Sequence, residues 1–294
     1  MKTMTICAVA AMTAGIALAD VTSSNIVGYQ QGMFQNQGYN IGAASFLPIS
    51  VAEEDMTLGM IVPNETFYKN SGKITFVSPG GGNAKFYSEY FKKEVTKTFV
   101  YQKAADTEAG TDGWYLEYDV SDEGGFCNMN DLKIPFGEGF LVRIGGNPAG
   151  QCLTYSGEVK TTPTTAPIPN QGYNIIGNCS PVALYLKDIT PNSSFYKNSS
   201  KITFVSAGGG NAKYYSEYFG KELTKTFVYQ KAADTEAGED GWYLEYDVSD
   251  EGGYCNMNNL IKLEAGEGML VRRGGSDDTQ RIEIPPAIEA PLED

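Results

Sequence analysis

The chain contains one stretch twice. Residues 67–130, FYKNSGKITFVSPGGGNAKFYSEYF…GWYLEYDVSDEGGFCNMN, return as residues 195–258 at an offset of 128. Only 7 of the 64 aligned positions differ: Gly72/Ser200, Pro79/Ala207, Phe86/Tyr214, Lys92/Gly220, Val95/Leu223, Thr111/Glu239 and Phe126/Tyr254. Such a chain has to fold as two copies of one module. Each copy is long enough to bury a core of its own. The identity is high enough to report a recent duplication, so shared residues carry no argument about constraint.

Residues 1–19 read as a processing signal: Lys2, a short apolar run, and an Ala17-Leu18-Ala19 cleavage site. The apolar run is too short to span a bilayer, and no later segment is apolar for long enough. The protein is therefore expected to be exported, to the extracellular space, the cell surface or the periplasm, with no membrane span. Loss of the signal takes the formal charge from −14 to −15. A surface of that sign repels phosphate backbones, so nucleic acid is not an expected partner. There is no histidine, which removes the commonest general base and the commonest zinc ligand.

The order along the chain is a first module with its lead-in over 20–160, a Thr/Pro linker over 161–169, a second module over 170–286 and an acidic, Pro-rich tail over 287–294 expected to be disordered. Gly38-Tyr39-Asn40-Ile41 opens the first module and Gly172-Tyr173-Asn174-Ile175 the second, at an offset of 134. The second copy has thus lost residues between this strand and the long repeat, within 51–65, where a helical turn is expected. Short runs at 74–77, 86–91, 98–102 and 140–144 predict strands, with glycine-rich turns between them. Residues 85–94 have a helix as their alternative. The run Trp114 to Val120 alternates, which predicts a strand with Trp114, Leu116, Tyr118 and Val120 on the core face and Tyr115, Glu117 and Asp119 outside. The prolines of the linker disfavour sheet pairing. The fold class expected is all-β: two tandem sandwich- or barrel-like domains, with room for one short helix each.

The opening Asn25-Ile26-Val27-Gly28-Tyr29, the Gly38-Tyr39-Asn40-Ile41 strand, the Gly137-Glu138-Gly139-Phe140 turn-strand and the closing Ser156-Gly157-Glu158-Val159 together resemble a group of exported bacterial tandem β-repeat proteins of unassigned function. The resemblance covers nearly the whole mature chain. It implies fold and location and no catalytic residues. The second module departs at its end, where Glu283-Ile284-Pro285-Pro286 replaces Ser-Gly-Glu-Val.

Four cysteines follow the signal: Cys127, Cys152, Cys179 and Cys255. In an exported protein they are disulfide candidates. Cys127–Cys152 with Cys179–Cys255 would give each module its own bridge; Cys152–Cys179 would staple the modules together. Buried free thiols are the plain alternative. Acidic loops place Asp106, Glu108, Asp112, Asp119 and Asp122 in one copy and Asp234, Glu236, Asp240, Asp247 and Asp250 in the other. Clustered carboxylates suit calcium, the one cofactor the pattern admits, although the spacing matches no EF-hand and solvated loops explain it as well. Tyr115/Tyr243, Phe86/Tyr214 and Tyr87/Tyr215 are candidate stacking platforms for sugars, set against ordinary strand packing. The Phe86/Tyr214 exchange marks a ring edge that tolerates a hydroxyl, hence solvent. Trp114 and Trp242 read as core.

Pro79-Gly80-Gly81-Gly82-Asn83 lacks phosphate-loop spacing. Asp106-Thr107-Glu108 lacks the glycine a pepsin-like pair needs. A glycosidase pair depends on a separation in space that the sequence leaves open. Near-identical modules suit two copies of one surface better than one composite active site. The function expected is that of a non-enzymatic secreted or cell-surface structural or interaction protein. The alternative is a tandem carbohydrate-binding protein. Extracellular polysaccharide or other surface proteins are the partners that fit.

Overall fold

A computed structural model describes residues 27–33, 37–43, 45–47, 55–122, 124–250 and 252–286. The signal segment, most of the lead-in and the acidic tail lie outside the described residues. In the first module β1 (Val27–Met33), β2 (Gly38–Ala43), β3 (Met56–Thr57), β4 (Ile61–Pro63) and β5 (Lys73–Thr75) are followed by β6 (Lys85–Ser88), β7 (Lys93–Thr96), β8 (Thr98–Gln102) and β9 (Gly113–Leu116). The module ends with β10 (Lys133–Ile134), β11 (Gly139–Ile144) and β12 (Cys152–Glu158). Two short helices, α1 (Glu65–Lys69) and α2 (Glu117–Asp122), interrupt them, one more than the expected single helix.

The strands form a five-stranded sheet in the order β2-β11-β5-β8-β9 and a three-stranded sheet in the order β1-β12-β4. β6–β7 and β3–β10 make two small ribbons, and every pairing is antiparallel. The second module repeats the plan strand for strand. The all-β expectation holds.

Alternation builds the core. Along β11, Phe140, Val142 and Ile144 are buried while Arg143 is exposed. These side chains meet Phe67, Phe76, Phe99 and Trp114 from their own sheet's side and Ile61, Leu153 and Tyr155 from the small sheet. Phe76 packs on Phe99 at 5.9 Å and on Phe140 at 5.6 Å between ring centroids. Each such burial contributes about 1.5–3 kcal/mol. Trp114 satisfies its indole N–H on the Ile61 carbonyl at 2.7 Å, and Trp242 does so on Ile189 at 2.9 Å. Both tryptophans are core, as expected.

Three expectations are corrected. The strand through Trp114 stops at Leu116, and the chain turns into α2, so the alternation ends there. The cause is Asp119: its carboxylate accepts from the backbone N–H groups of Phe126 and Cys127, which ties the following loop to a helical turn. The single strand expected over 86–91 ends at Ser88 and turns back as the β6–β7 hairpin, and the helical alternative for 85–94 is not adopted. The expected linker contains a strand, Thr164–Pro167, paired with Arg281–Ile284. It is the lead-in strand of the second module, in the same register as β1 on β12. Pro167 is tolerated because it ends an edge strand, where no ladder N–H is missed. The length difference between the copies falls between β2 and β3, since β3 and its counterpart Leu184–Tyr185 already keep the offset of the long repeat.

The modules pack on each other through reciprocal contacts. Tyr39 bridges Gly208 and Tyr173 bridges Gly80; Gly42 bridges Glu267 and Ile176 bridges Glu138. Gly80 N–H donates to Tyr173 O at 2.9 Å and Gly208 N–H to Tyr39 O at 3.1 Å. The same surface serves both partners, so the seam has the isologous form of a twofold dimer, built within one chain. Gly38 and Gly172 are needed there: both have positive φ, and a Cβ would meet the facing carbonyl at 2.5 and 2.6 Å. Among the described residues no helix is long and apolar enough to cross a membrane.

Candidate functional site

Both faces of β9 are covered, and this removes the first candidate platform. Tyr115 and Tyr243 are fully buried. Their side chains stand opposite the core face, but the acidic loop folds over them: Tyr115 Oη donates to Thr111 O and Tyr243 Oη to Glu239 O, each at 2.7 Å. Phe86 and Tyr214 are half-buried and pack on the two cores. Tyr87 and Tyr215 are exposed, as expected.

The carboxylates named as calcium candidates are engaged one by one or left on the surface. Asp112 pairs with Lys103 and accepts from Ala104 N–H at 2.7 Å; Asp240 does the same with Lys231 and Ala232. The lysine beside each aspartate holds its carboxyl below the usual range. Asp119 and Asp247 are fully buried and their oxygens are taken by backbone N–H groups. Asp106, Glu108 and Asp122, with Asp234, Glu236 and Asp250, remain on the surface. Among the described residues no three of these groups converge as a metal site.

Neither disulfide arrangement is formed: Cys127, Cys152, Cys179 and Cys255 are free thiols. Cys152 accepts from Gln31 Nε2 at 3.2 Å, while burial raises the thiols of Cys127, Cys179 and Cys255 above the ordinary value.

What the fold does assemble is an aromatic cluster on each module. The β6–β7 hairpin presents Tyr90 and Phe91 at its turn, and the loop after α2 brings Phe126 beside them. Tyr90 stacks on Phe126 at 5.9 Å with 25° between planes. Phe91 meets Tyr90 edge-on at 4.8 Å and Tyr118 edge-on at 5.0 Å. Lys93 lies 3.9 Å over the Tyr118 ring and donates to its hydroxyl. The second module repeats this with Tyr218 on Tyr254 at 6.0 Å and 26°, then Phe219, Tyr246 and Lys221.

Tyr90 and Tyr218 are 55% and 59% exposed, and Phe126 and Tyr254 are 42% and 46% exposed, so these are surface rings. Two devices hold them. Ser88 Oγ accepts from Phe91 N–H at 3.3 Å and fixes the hairpin turn. The buried Asp119 carboxylate fixes Phe126 from the backbone side, at 3.1 Å. Lys92 sits in the left-handed region at φ 53°, where the second copy has Gly220.

Stacked and edge-on rings with a lysine alongside offer apolar faces and a few polar atoms, which suits ring-shaped ligands with C–H faces. Sequence reading missed Tyr90, Phe91, Tyr118 and Phe126. The signal was present at Phe126/Tyr254, a second Phe-to-Tyr exchange between the copies, of the kind that singled out Phe86/Tyr214. Comparison of the chain with known protein families, curated proteins and solved structures finds no match.

Proposed function

We propose that this is a non-enzymatic, exported interaction protein that binds an extended extracellular ligand bivalently, one contact per module. The ligand class that fits best is polysaccharide. The observation that carries the reading is the recurrence of the same exposed ring cluster, Tyr90 with Phe126 and Tyr218 with Tyr254, in both modules. Aromatic faces contribute about 0.5–1.5 kcal/mol per ring pair beyond burial, so one cluster alone binds weakly. Two clusters on one chain raise the overall affinity by about 10²–10⁴ when a single polymer reaches both. The leader-like residues 1–19 support export, and the acidic surface supports neutral over polyanionic polymers.

The test is binding of the full mature chain to immobilised neutral and charged polysaccharides. Tyr90→Ala and Tyr218→Ala singly are expected to cost avidity, about tenfold or more each, and the double variant to abolish retention. Retention that ignores both substitutions would refute the cluster as the site. Failure of the wild-type protein to bind any polymer would refute the saccharide assignment and direct the search to protein partners.

A further inference from the structure

The outer face of each five-stranded sheet carries a row of side chains that the ring clusters do not use. Tyr39 on β2 stands directly opposite Arg143 on β11, and Arg143 directly opposite Lys73 on β5. The second module repeats the row as Tyr173, Arg272 and Lys201. Their neighbours Ile74, Val142, Ile202 and Val271 are buried in the two cores, so the row points the other way. Like charges directly opposite on neighbouring strands have Cβ atoms about 4.5–5.5 Å apart and destabilise the sheet. The chain places such a pair twice, although its acidic residues outnumber its basic ones 36 to 22 and opposite-charge pairing was the easier choice.

One carboxylate answers each pair of cations. Lys73 is ion-paired with Glu117 and Lys201 with Glu245, and the two lysine side chains are only 17% and 19% exposed. Arg143 and Arg272 are exposed, and among the described residues neither guanidinium has a hydrogen-bond or ion-pair partner. Arginine, lysine and glutamate together thus keep one uncompensated positive charge in each module. Both arginines lie beyond the near-identical stretch, where Phe140 has become Met269 and Ile144 has become Arg273.

Each charge sits in a cleft. In the first module the cleft is about 620 Å³ and is lined by Tyr39, Asn70, Lys73, Arg143 and Gly145 among others. In the second it is about 410 Å³, with Asn198, Lys201, Arg272 and Gly274 at the matching places. Both volumes fall within the range of small-molecule sites, roughly 300–1,000 Å³. The asparagine wall is fixed: Asn70 Nδ2 donates to Thr66 O and Asn198 Nδ2 to Ser194 O, each at 2.7 Å.

We propose that each cleft binds one carboxylate-bearing ring, the chemistry of a sugar acid. The carboxylate sits on Arg143 or Arg272, and the ring lies against Tyr39 or Tyr173. A guanidinium fork matches carboxylate and phosphate bidentately. Charge decides between them: a monoanion balances the site, whereas a phosphate dianion would leave it negative within a chain of formal charge −14. A neutral sugar would leave the opposed cations unrelieved. The tyrosine ring offers its face to the C–H face of the sugar. One carboxylate per ligand also suits a surface that repels dense polyanions. The proposal stands apart from the surface ring clusters and does not depend on their role.

NMR titration of the full mature chain tests it, with glucuronate as the probe, glucose as its neutral counterpart and glucose 6-phosphate as the dianion. Glucuronate is expected to bind, more weakly as salt rises, and to bind about tenfold or more tighter than either counterpart. Arg143→Gln with Arg272→Gln is expected to lose that advantage. Because it relieves the opposed cations at exposed positions, this variant should melt no lower than the wild type, which separates lost recognition from lost folding. If it does not fold, the ranking of the three probes on the wild-type protein decides. Absence of glucuronate binding would overturn the proposal, as would glucose binding equally well. Tighter binding of glucose 6-phosphate would overturn the carboxylate assignment. Glucuronate binding that survives the double substitution would place the ligand elsewhere and overturn the site.

Discussion

Gly72 and Ser200 occupy equivalent positions, and the difference leaves a mark on the structure. In the second module Ser200 Oγ donates to Gln280 Oε1 and accepts from Gly274 N–H at 2.8 Å. In the first module the counterpart glutamine, Gln151, is fully buried and its Oε1 has no partner. Gly72→Ser supplies the missing donor. The new Cβ comes within 2.6 Å of the Phe67 ring, so that ring must shift; the equivalent Phe195 stays fully buried beside Ser200, which shows that the core accommodates the pair. The expected gain is about 1 kcal/mol, or a Tm rise of roughly 2–4 °C for a unit of this size. Gly72→Ala is the control: it has the same Cβ and no hydroxyl, and calorimetry should show no comparable gain. The residue scale also explains which site residues could be read from sequence. Tyr87 follows from simple alternation in a hairpin. Tyr115 does not, because its burial depends on a loop eight residues upstream closing over the outer face, and no local pattern encodes that contact.

At the scale of elements, α2 and the loop after it act as one unit, with the Asp119 carboxylate as the joint. It is fully buried and accepts from Phe126 N–H at 3.1 Å and Cys127 N–H at 2.8 Å. Asp119→Ala leaves both donors unanswered, at a cost of about 2–4 kcal/mol. It also frees Phe126 from its place beside Tyr90, so polymer binding by the first module should fall with stability. Asp119→Asn keeps one acceptor oxygen and should lose about half as much. Thermal melting of the three proteins checks the order, and an Asp119→Ala variant that melts like the wild type would sink this role. The same joint explains where reading the sequence failed. β11 was legible because its periodicity and its burial agree. The run from Trp114 to Val120 alternates just as well, yet side-chain-to-backbone bonding bends it into a helix after Leu116. The strand at Thr164–Pro167 was hidden by its prolines, which an edge position accommodates and a central one would not.

For the whole molecule the seam is the element that makes two modules one body, and it holds two half-buried acids. Glu138 and Glu267 sit at reciprocal bridges, facing Ile176 and Gly42. Burial is the main cause that pushes both carboxyls above the ordinary glutamate value, aided by the charges of Asp55 at the first and Glu264 at the second; Lys97 at the first, and the Glu264 backbone N–H and Lys225 at the second, act the other way. A carboxyl raised in the folded state holds its proton more tightly there than in the unfolded chain. Its contribution to stability is therefore complete below the ordinary glutamate range and is lost as pH rises through the raised folded value. In their ionised form the two glutamates oppose the packing of the modules. Glu138→Gln with Glu267→Gln removes that opposition, and the amide oxygen of the second substitution can keep the bond from Glu264 N–H that Glu267 now accepts at 2.9 Å. The double variant should melt above the wild type at pH 7, and the gap should close as pH falls below the ordinary glutamate range. Melting curves across that window decide it. A gap that stays constant with pH would assign the effect to packing, and a variant that melts lower at pH 7 would mean that these carboxylates hold the seam together in their charged form.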